Sequence, residues 1–129
     1  MSREINRPAV VEELTGAFHA YEAALVGRDL DTMARYFSDS CEVVRFGIAD
    51  RQRGPKELAA WRAAQPPLPA GRTLAETTVT TFGDDVGVVT TLFTYPERDL
   101  VGRQSQTWLR EPEGWRIVHA HVSEIAATA

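Results

Sequence analysis

The sequence predicts an α+β fold in which three N-terminal helices pack on a curved, mainly antiparallel sheet. Apolar residues at helical i, i+3/i+4 spacing occur mostly in the first half of the chain. The second half consists of Val- and Thr-rich segments separated by turn signals. Helices segregated from hairpins are typical of the α+β class. The length of 129 residues indicates a single domain over residues 1–129, which is large enough to bury a hydrophobic core.

Three helices are predicted in the first half of the chain, at residues 6–27, 31–37 and 55–65. Asn6 suits the N-cap of the first helix, Pro8 suits its first turn, and Gly27 suits its end. The segment PPLP, residues 66–69, ends the third helix because proline cannot continue it.

Six strands are predicted, a short hairpin before the third helix and four long strands after it, at residues 41–47, 48–54, 72–82, 86–95, 103–110 and 115–125. The strand at 86–95 is apolar on both faces, with Val88 and Leu92 on one face and Val89 and Phe93 on the other. Because the helices cover only one face of the sheet, we expect a second subunit to cover the other and form a homodimer.

The composition limits the partners of the chain. Its net charge of −4 argues against nucleic acid or an anionic membrane surface as a partner. No apolar stretch approaches the ~20 residues of a membrane span, and charges near the N-terminus argue against a signal peptide. The single cysteine, Cys41, excludes an intramolecular disulfide and fits a reducing compartment, so we expect a cytoplasmic location.

The segment VVRFG, residues 43–47, places an arginine in the middle of a strand with apolar neighbours. Val43 and Arg45 share one face of this strand and Val44 and Phe46 share the other, and both faces are expected to be at least half buried. A buried guanidinium stays charged and needs a partner, and a carboxylated ligand matches its planar fork. The alternative is a short edge strand from which Arg45 extends to water.

Tyr21 and Arg72 are further candidates for a binding site. Tyr21 follows the apolar stripe of the first helix, so it is either a core tyrosine or a phenol that donates a hydrogen bond or a proton in a pocket. Arg72 opens the third predicted strand, where it is either a second cation at the pocket mouth or a solvated side chain. Glu76, in the middle of that strand, either pairs with one of the two arginines or faces solvent.

Two glutamines share one face of a strand with Trp108. Gln104 and Gln106 are either part of a cross-strand polar ladder or the groups that orient a urea or amide ligand through their carbonyl and NH₂ groups. His119 and His121 also share a face, but no third metal ligand accompanies them. The sequence therefore predicts neither a metal site nor a cofactor, and phosphate-binding glycine loops are absent from it.

The order of predicted elements resembles the nuclear transport factor 2-like superfamily with its SnoaL-like and ketosteroid-isomerase relatives. The segment GRQSQTWLREPEGWRIVHAHVS, residues 102–123, is similar to the last hairpin of that superfamily. The segments INRPAVVEELTGAFHAYEAAL, VVRFG, GRTLAETTVTTFG and GRQSQTW resemble the AtzH-like family more closely, which includes the HpxZ-type proteins of oxalurate and purine catabolism.

This resemblance implies a cone-shaped fold with one pocket between helices and sheet. It also implies a cofactor-free amidohydrolase of nitrogen catabolism that acts on a small carboxylated urea, as in the conversion of 1,3-dicarboxyurea to allophanate. The residues tied to that activity fall on Tyr21 and Arg45, which we predict to be catalytic and to face one cavity. The substrate-binding side chains are predicted to be Arg72, Gln104, Gln106 and Phe93.

Two other functions stay open at this point. The same basic pocket would serve a non-catalytic metabolite-binding or assembly module that accompanies a partner amidase. An isomerase or cyclase, as found elsewhere in the superfamily, would need an aspartate base in the pocket, and the sequence offers no convincing equivalent. Fold alone does not decide between these functions.

Overall fold

The computed structural model describes residues 4–127, which form three helices and six strands. In chain order these are α1 (Pro8–Val26), α2 (Leu30–Tyr36), β1 (Val44–Phe46), β2 (Arg51–Arg53), α3 (Gly54–Ala64), β3 (Thr73–Phe82), β4 (Val86–Thr94), β5 (Leu100–Glu111) and β6 (Gly114–Ala126). This order confirms the predicted α+β class. Each helix begins or ends within two residues of its predicted boundary.

All six strands belong to one sheet, in the order β2-β1-β6-β5-β4-β3. Every neighbouring pair is antiparallel except β1 and β6, which run parallel. One bulge lies between Ala75 and Thr78 in β3, and a second lies between Ile117 and His119 in β6, opposite Thr107 and Trp108 of β5. Because a bulge bends its strand and increases the local twist, these irregularities favour a curved sheet.

The hydrophobic core lies between α1 and the face of the sheet that we call the inner face. Leu14 and Phe18 of α1 are fully buried, as are Trp108 of β5 and Ile117 of β6. Gly87 of β4 permits the close approach of α1, because a Cβ there would overlap the side chain of Leu14. The apolar stripe of α1 therefore packs directly on the middle of the sheet.

Asn6 does not cap α1, and that prediction is wrong. Its backbone N–H donates to the Thr81 carbonyl over 3.0 Å, and its side-chain oxygen accepts from the Thr81 N–H over 2.9 Å. Arg7 occupies the N-cap position without a side-chain capping bond. Asn6 adopts a φ of 59°, a conformation that asparagine tolerates better than most residues. The Asn6 side chain thus bonds to β3 instead of to the first turn of α1.

No helix within residues 4–127 covers the opposite, outer face of the sheet. Val88 and Leu92 of β4 are half-buried there, while Phe46 of β1 is 44% exposed between the rings of His119 and His121. Phe46 nevertheless keeps just over half of its surface buried, as expected for this face of β1. The homodimer that would cover this face stays a prediction. No helix within residues 4–127 is long and apolar enough to cross a membrane.

Candidate functional site

A cavity of about 330 Å³ lies between the helices and the inner face of the sheet. Both Tyr21 of α1 and Arg45 of β1 line it, although 24 positions separate them in the sequence. The segment PPLP, residues 66–69, lines it as well, so the residues that end α3 also form part of its wall. The volume is in the range that binds small organic ligands.

Tyr21 is held by an arginine that the sequence analysis did not single out. Arg62 of α3 donates from Nη2 to the Tyr21 hydroxyl over 2.5 Å, and its Nη1 contacts Met33 Sδ at 3.3 Å. Tyr21 is 4% exposed and Arg62 is 8% exposed. Because the phenol oxygen accepts from Arg62, and the O–H donates to no residue within 4–127, the proton of Tyr21 is available to a ligand.

Arg45 points into the cavity and uses one side of its guanidinium to bind protein groups. Its Nη1 donates to Asp50 Oδ1 over 2.8 Å and to Gln52 Oε1 over 2.9 Å, and the guanidinium stacks on Trp61 at 4.1 Å. The Nε and Nη2 atoms donate to no residue in the described part of the chain. These two atoms form the edge that binds a carboxylate bidentately.

The surroundings of Arg45 exclude the alternative in which it extends to water. Strand β1 lies between β2 and β6 rather than at the sheet edge, and the Arg45 side chain is 12% exposed. Burial lowers the pKa of Arg45; Tyr21 and Asp50 oppose this change, and the like charge of Arg62 adds to it. An anion bound beside Arg45 would offset both the cost of burying the Arg45 charge and its repulsion from Arg62.

Arg72 immediately precedes β3 and lines the same cavity, but a carboxylate neutralises it. Its Nε donates to Glu22 Oε1 over 3.0 Å, its Nη1 donates to the Tyr95 hydroxyl over 3.1 Å, and its guanidinium stacks on Phe93 at 4.2 Å. Burial is the largest influence and lowers the pKa of Arg72, but Glu22 and Tyr95 together outweigh it and raise that pKa above its ordinary value. Glu76 is exposed at the β3 bulge and pairs with neither Arg45 nor Arg72.

The two glutamines of β5 have different surroundings. Gln104 is engaged at both ends, since its oxygen accepts from Arg72 Nη2 and its nitrogen donates to Glu22, each over 3.0 Å. Gln106 accepts from Trp108 Nε1 over 3.0 Å. Because an indole only donates, this bond fixes the orientation of the Gln106 amide. Its NH₂ group has no acceptor within residues 4–127, and Gln106 lines the cavity.

The residues that the sequence analysis missed include three charged partners of the predicted site residues: Arg62, Glu22 and Asp50. The first two had a visible signal, because Arg62 lies four residues after Leu58 and Glu22 lies four after Phe18. Both positions therefore continue an apolar helical stripe, where a charge is unusual. Asp50 follows Arg45 by five residues, and the turn between β1 and β2 brings it back to that arginine.

The charges around the cavity do not balance. Three of the four arginines that line it form ion pairs with carboxylates, namely Arg45–Asp50 at 2.8 Å, Arg72–Glu22 at 3.0 Å and Arg98–Glu124 at 2.9 Å. Among residues 4–127, no carboxylate oxygen lies within 4.0 Å of the Arg62 guanidinium. The cavity therefore has an excess of one positive charge.

The histidine pair lies away from this cavity. His119 and His121 are exposed on the outer face, one on each side of Phe46. Within the described residues, no group of three or more His, Cys, Asp and Glu side chains is placed to hold a metal ion.

The architecture defines the class of protein as nuclear transport factor 2-like, also described as cystatin-like. A cystatin-like fold protein from Burkholderia xenovorans superposes with a TM-score of 0.93 and 46% identity, over 97% of this chain and 98% of that one. A protein of unknown function from Pectobacterium atrosepticum gives 0.92 and 40%, over 95% of each chain. A nuclear transport factor 2-like superfamily protein from Salmonella enterica gives 0.72 and 27%, over 94% of each chain.

Within this class, the AtzH-like family model matches residues 3–128. The chain belongs to the AtzH-like family, as the motifs VVRFG and GRQSQTW predicted. No curated protein matches the chain significantly.

Proposed function

We propose that this protein is a cofactor-free hydrolase that acts on a small carboxylated urea or a related anionic amide. One observation carries this proposal. The O–H of Tyr21, the free edge of Arg45 and the NH₂ group of Gln106 are all available in one cavity of about 330 Å³ with excess positive charge. A planar anion with a carboxylate at one end and an amide or urea carbonyl beside it complements these groups.

Each side chain then has a role that follows from its hydrogen bonds. Arg45 binds the carboxylate through Nε and Nη2, and Gln106 donates to the urea carbonyl. Phe93 forms an apolar wall, on which Arg72 stacks. Arg72 keeps one N–H on Nη1 for the substrate, and Gln104 holds Arg72 against Glu22.

The proposed reaction consumes one water and needs no other reagent. The water oxygen adds to the acyl carbon while the Asp50 carboxylate, which lines the cavity, accepts its proton. Gln106 donates to the carbonyl oxygen on which negative charge develops. The C–N bond then breaks, and the leaving nitrogen takes the phenolic proton of Tyr21. Solvent returns the proton from Asp50 to Tyr21, which restores the site.

Turnover by the purified protein tests this proposal. We expect carboxylated ureas to be hydrolysed, with release of bicarbonate or ammonia, and we expect Tyr21→Phe to reduce kcat by roughly 10²–10⁴-fold, the usual contribution of a general acid. Tyr36→Phe is the matched control, because Tyr36 packs edge-on against Tyr21 but does not line the cavity. Absence of turnover across a panel of carboxylated ureas and anionic amides would contradict the proposal.

A second candidate is a metabolite-binding module that accompanies a partner amidase. It is favoured by one observation. Asp50 and Glu22 are both in ion pairs with arginines, which makes each carboxylate a weaker general base. Under this alternative the same anions bind with the same dependence on Arg45, but the protein does not convert them. Binding without turnover, together with a rise in activity of an added amidase, would favour it.

A further inference from the structure

The excess positive charge of the cavity is at Arg62, whose environment differs from that of the other three arginines. Its Nε is buried and makes no hydrogen bond within residues 4–127, and its Nη1 contacts the thioether of Met33. Its Nη2 donates to a neutral group, the Tyr21 hydroxyl, over 2.5 Å. The aromatic rings of Tyr21, Phe37 and Trp61 lie 5.3–5.9 Å from the guanidinium carbon. Cation–π contacts of this kind compensate a buried charge only in part.

The phenol oxygen of Tyr21 lies near two positive charges. Arg62 donates to this oxygen directly. Burial lowers the pKa of Arg45, and Tyr21 is the strongest of the influences that raise it. Because electrostatic attraction is mutual, Arg45 also favours negative charge on the Tyr21 oxygen. Among residues 4–127, no carboxylate oxygen lies within 4.0 Å of the Arg62 guanidinium, so none there competes with the phenol oxygen for its charge.

The two groups that transfer protons in the proposed reaction differ in the charge beside them. Asp50 is an anion that pairs with Arg45 at 2.8 Å, and the proton of the attacking water makes it neutral. Tyr21 begins as a neutral phenol and becomes an anion when its proton passes to the leaving nitrogen. The reaction therefore moves one negative charge from the Asp50 carboxylate to the Tyr21 oxygen. A buried negative charge at that second position needs a cation that no carboxylate already neutralises.

We infer that Arg62 is the counter-ion of a phenolate that forms at Tyr21 when the C–N bond breaks. In this step the electron pair of the C–N bond goes to the nitrogen, and the nitrogen takes the Tyr21 proton. The electron pair of the O–H bond stays on the phenolate oxygen beside Arg62, until solvent carries the proton from Asp50 back to Tyr21. Arg62 thus acts on the reaction through Tyr21. The inference rests on the proposed function, because Tyr21 is the general acid of that same reaction.

Alkaline titration of the ligand-free protein tests the inference without turnover. The phenolate at Tyr21 is measured by near-ultraviolet absorbance, as the difference between each protein and the same protein with Tyr21→Phe. At the same pH, Arg62→Met should have a phenolate-to-phenol ratio at Tyr21 that is at least about tenfold lower than in the wild type, because it lacks the adjacent cation. An unchanged ratio would overturn the inference.

Kinetics with two leaving groups test whether Arg62 acts on the proton transfer. For the carboxylated urea or anionic amide that the wild type hydrolyses, Arg62→Met should lower kcat roughly 10²–10³-fold, the usual effect of removing one donor to a developing charge. Mono-p-nitrophenyl malonate is an anionic ester whose leaving group departs without a proton, so its kcat should fall less than about tenfold. Equal losses for the two substrates would contradict a role in proton transfer.

A binding measurement separates this effect from loss of ligand affinity. Malonamate is an anion that carries a carboxylate beside an amide. It should bind to Arg62→Met within about tenfold of its wild-type affinity, because Arg45 keeps the free edge that binds the carboxylate. A larger loss of affinity, with kcat unchanged, would make Arg62 a binding residue and reject the inference.

Two further variants control for charge and for folding. Arg62→Lys should restore part of the phenolate ratio and of kcat, since it restores the charge but not the planar donor. Arg53→Met is the control for total protein charge, because the Arg53 side chain is 63% exposed and pairs with Glu42 at the surface, and it should behave as the wild type. The thermal midpoint of Arg62→Met should hold or rise, because the variant removes an unpaired buried charge. Should it fail to fold, Arg62→Gln, which keeps a donor without the charge, takes its place.

The absorbance and the kinetics distinguish failure of the inference from failure of the proposed function. A lower phenolate ratio in Arg62→Met, without turnover of any substrate by the wild type, would reject the hydrolase and keep Arg62 as the counter-ion of the Tyr21 phenolate. Amide hydrolysis that Arg62→Met performs as well as the wild type would reject the inference and keep the hydrolase.

Discussion

The guanidinium of Arg62 lies 2.5 Å from the hydroxyl of Tyr21, although 41 positions separate the two residues. The contact joins α3 to α1 at the wall of the cavity and is made between two buried side chains. Because Arg62 can only donate, the phenol oxygen must accept, and the proton of Tyr21 is directed to another partner. The orientation of one proposed catalytic group is thus determined by a residue on a different helix.

We predict that Arg45→Met separates binding from stability. Loss of a bidentate contact to a carboxylate should weaken malonamate binding at least about tenfold, or ~1.4 kcal/mol. The thermal midpoint should change little, because Asp50 stays 28% exposed and keeps its hydrogen bond from Gln52. Arg45→Lys should restore binding only in part, since a point charge does not reproduce the fork. Titration beside a melting curve checks this, and a variant that melts far lower yet binds normally would make Arg45 a structural residue.

Gln106→Glu should weaken anion binding with little effect on the fold, because the excess positive charge of the cavity compensates the buried carboxylate. The new carboxylate still accepts from Trp108 Nε1, so the buried indole keeps its partner. The NH₂ donors are lost, however, and a negative charge now faces the anionic ligand. We expect malonamate affinity to fall more than about tenfold. Gln106→Leu is the contrasting variant, because it leaves the Trp108 N–H unpaired and should destabilise the fold by ~1–3 kcal/mol. Urea unfolding and titration of both variants distinguish the two effects.

Glu22→Gln should be strongly destabilising. Glu22 accepts hydrogen bonds from Arg72 and Gln104, and the Arg72 side chain is 5% exposed. Removal of one partner from a buried ion pair leaves the other charge uncompensated, at a cost of about 3 kcal/mol in the free energy of unfolding. Glu124→Gln is the matched control, because its partner Arg98 is 38% exposed, and we expect it to cost less than about 1 kcal/mol. If chemical denaturation gave the same loss in the free energy of unfolding for both variants, burial of the Glu22–Arg72 pair would not contribute to stability.

The outer face of the sheet is predicted to form the interface of a homodimer. Val88 and Leu92 are half-buried and Phe46 is 44% exposed on this face, and a stable interface there should bury roughly 1,000 Å² or more. Light scattering at micromolar concentration should give twice the mass of one chain, and Val88→Arg should give a monomer. A monomeric wild-type protein would contradict this prediction.

The order of helices and strands could be read from the sequence because it depends on local signals. Apolar spacing along α1 placed Tyr21 on its inner stripe, and the alternation around VVRFG placed Arg45 on the same face as Val43. Proline and glycine marked the ends of α1 and α3 within two residues. The motifs that carry the family resemblance are likewise contiguous, so they needed no knowledge of packing.

The partners of the charged residues were decided only by the tertiary structure. Glu22 lies 50 positions from Arg72, and Arg62 lies 41 positions from Tyr21. Spacing along one helix shows that Glu22 and Arg62 occupy apolar stripes, but it does not show which groups face them from other elements. Whether a buried charge is neutralised depends on atoms within a few ångströms, and only the packing of α1, α3 and the sheet determines those neighbours. The sequence therefore indicated the fold and six of the residues that line the cavity, while the packing decided which of its arginines has no carboxylate partner within residues 4–127.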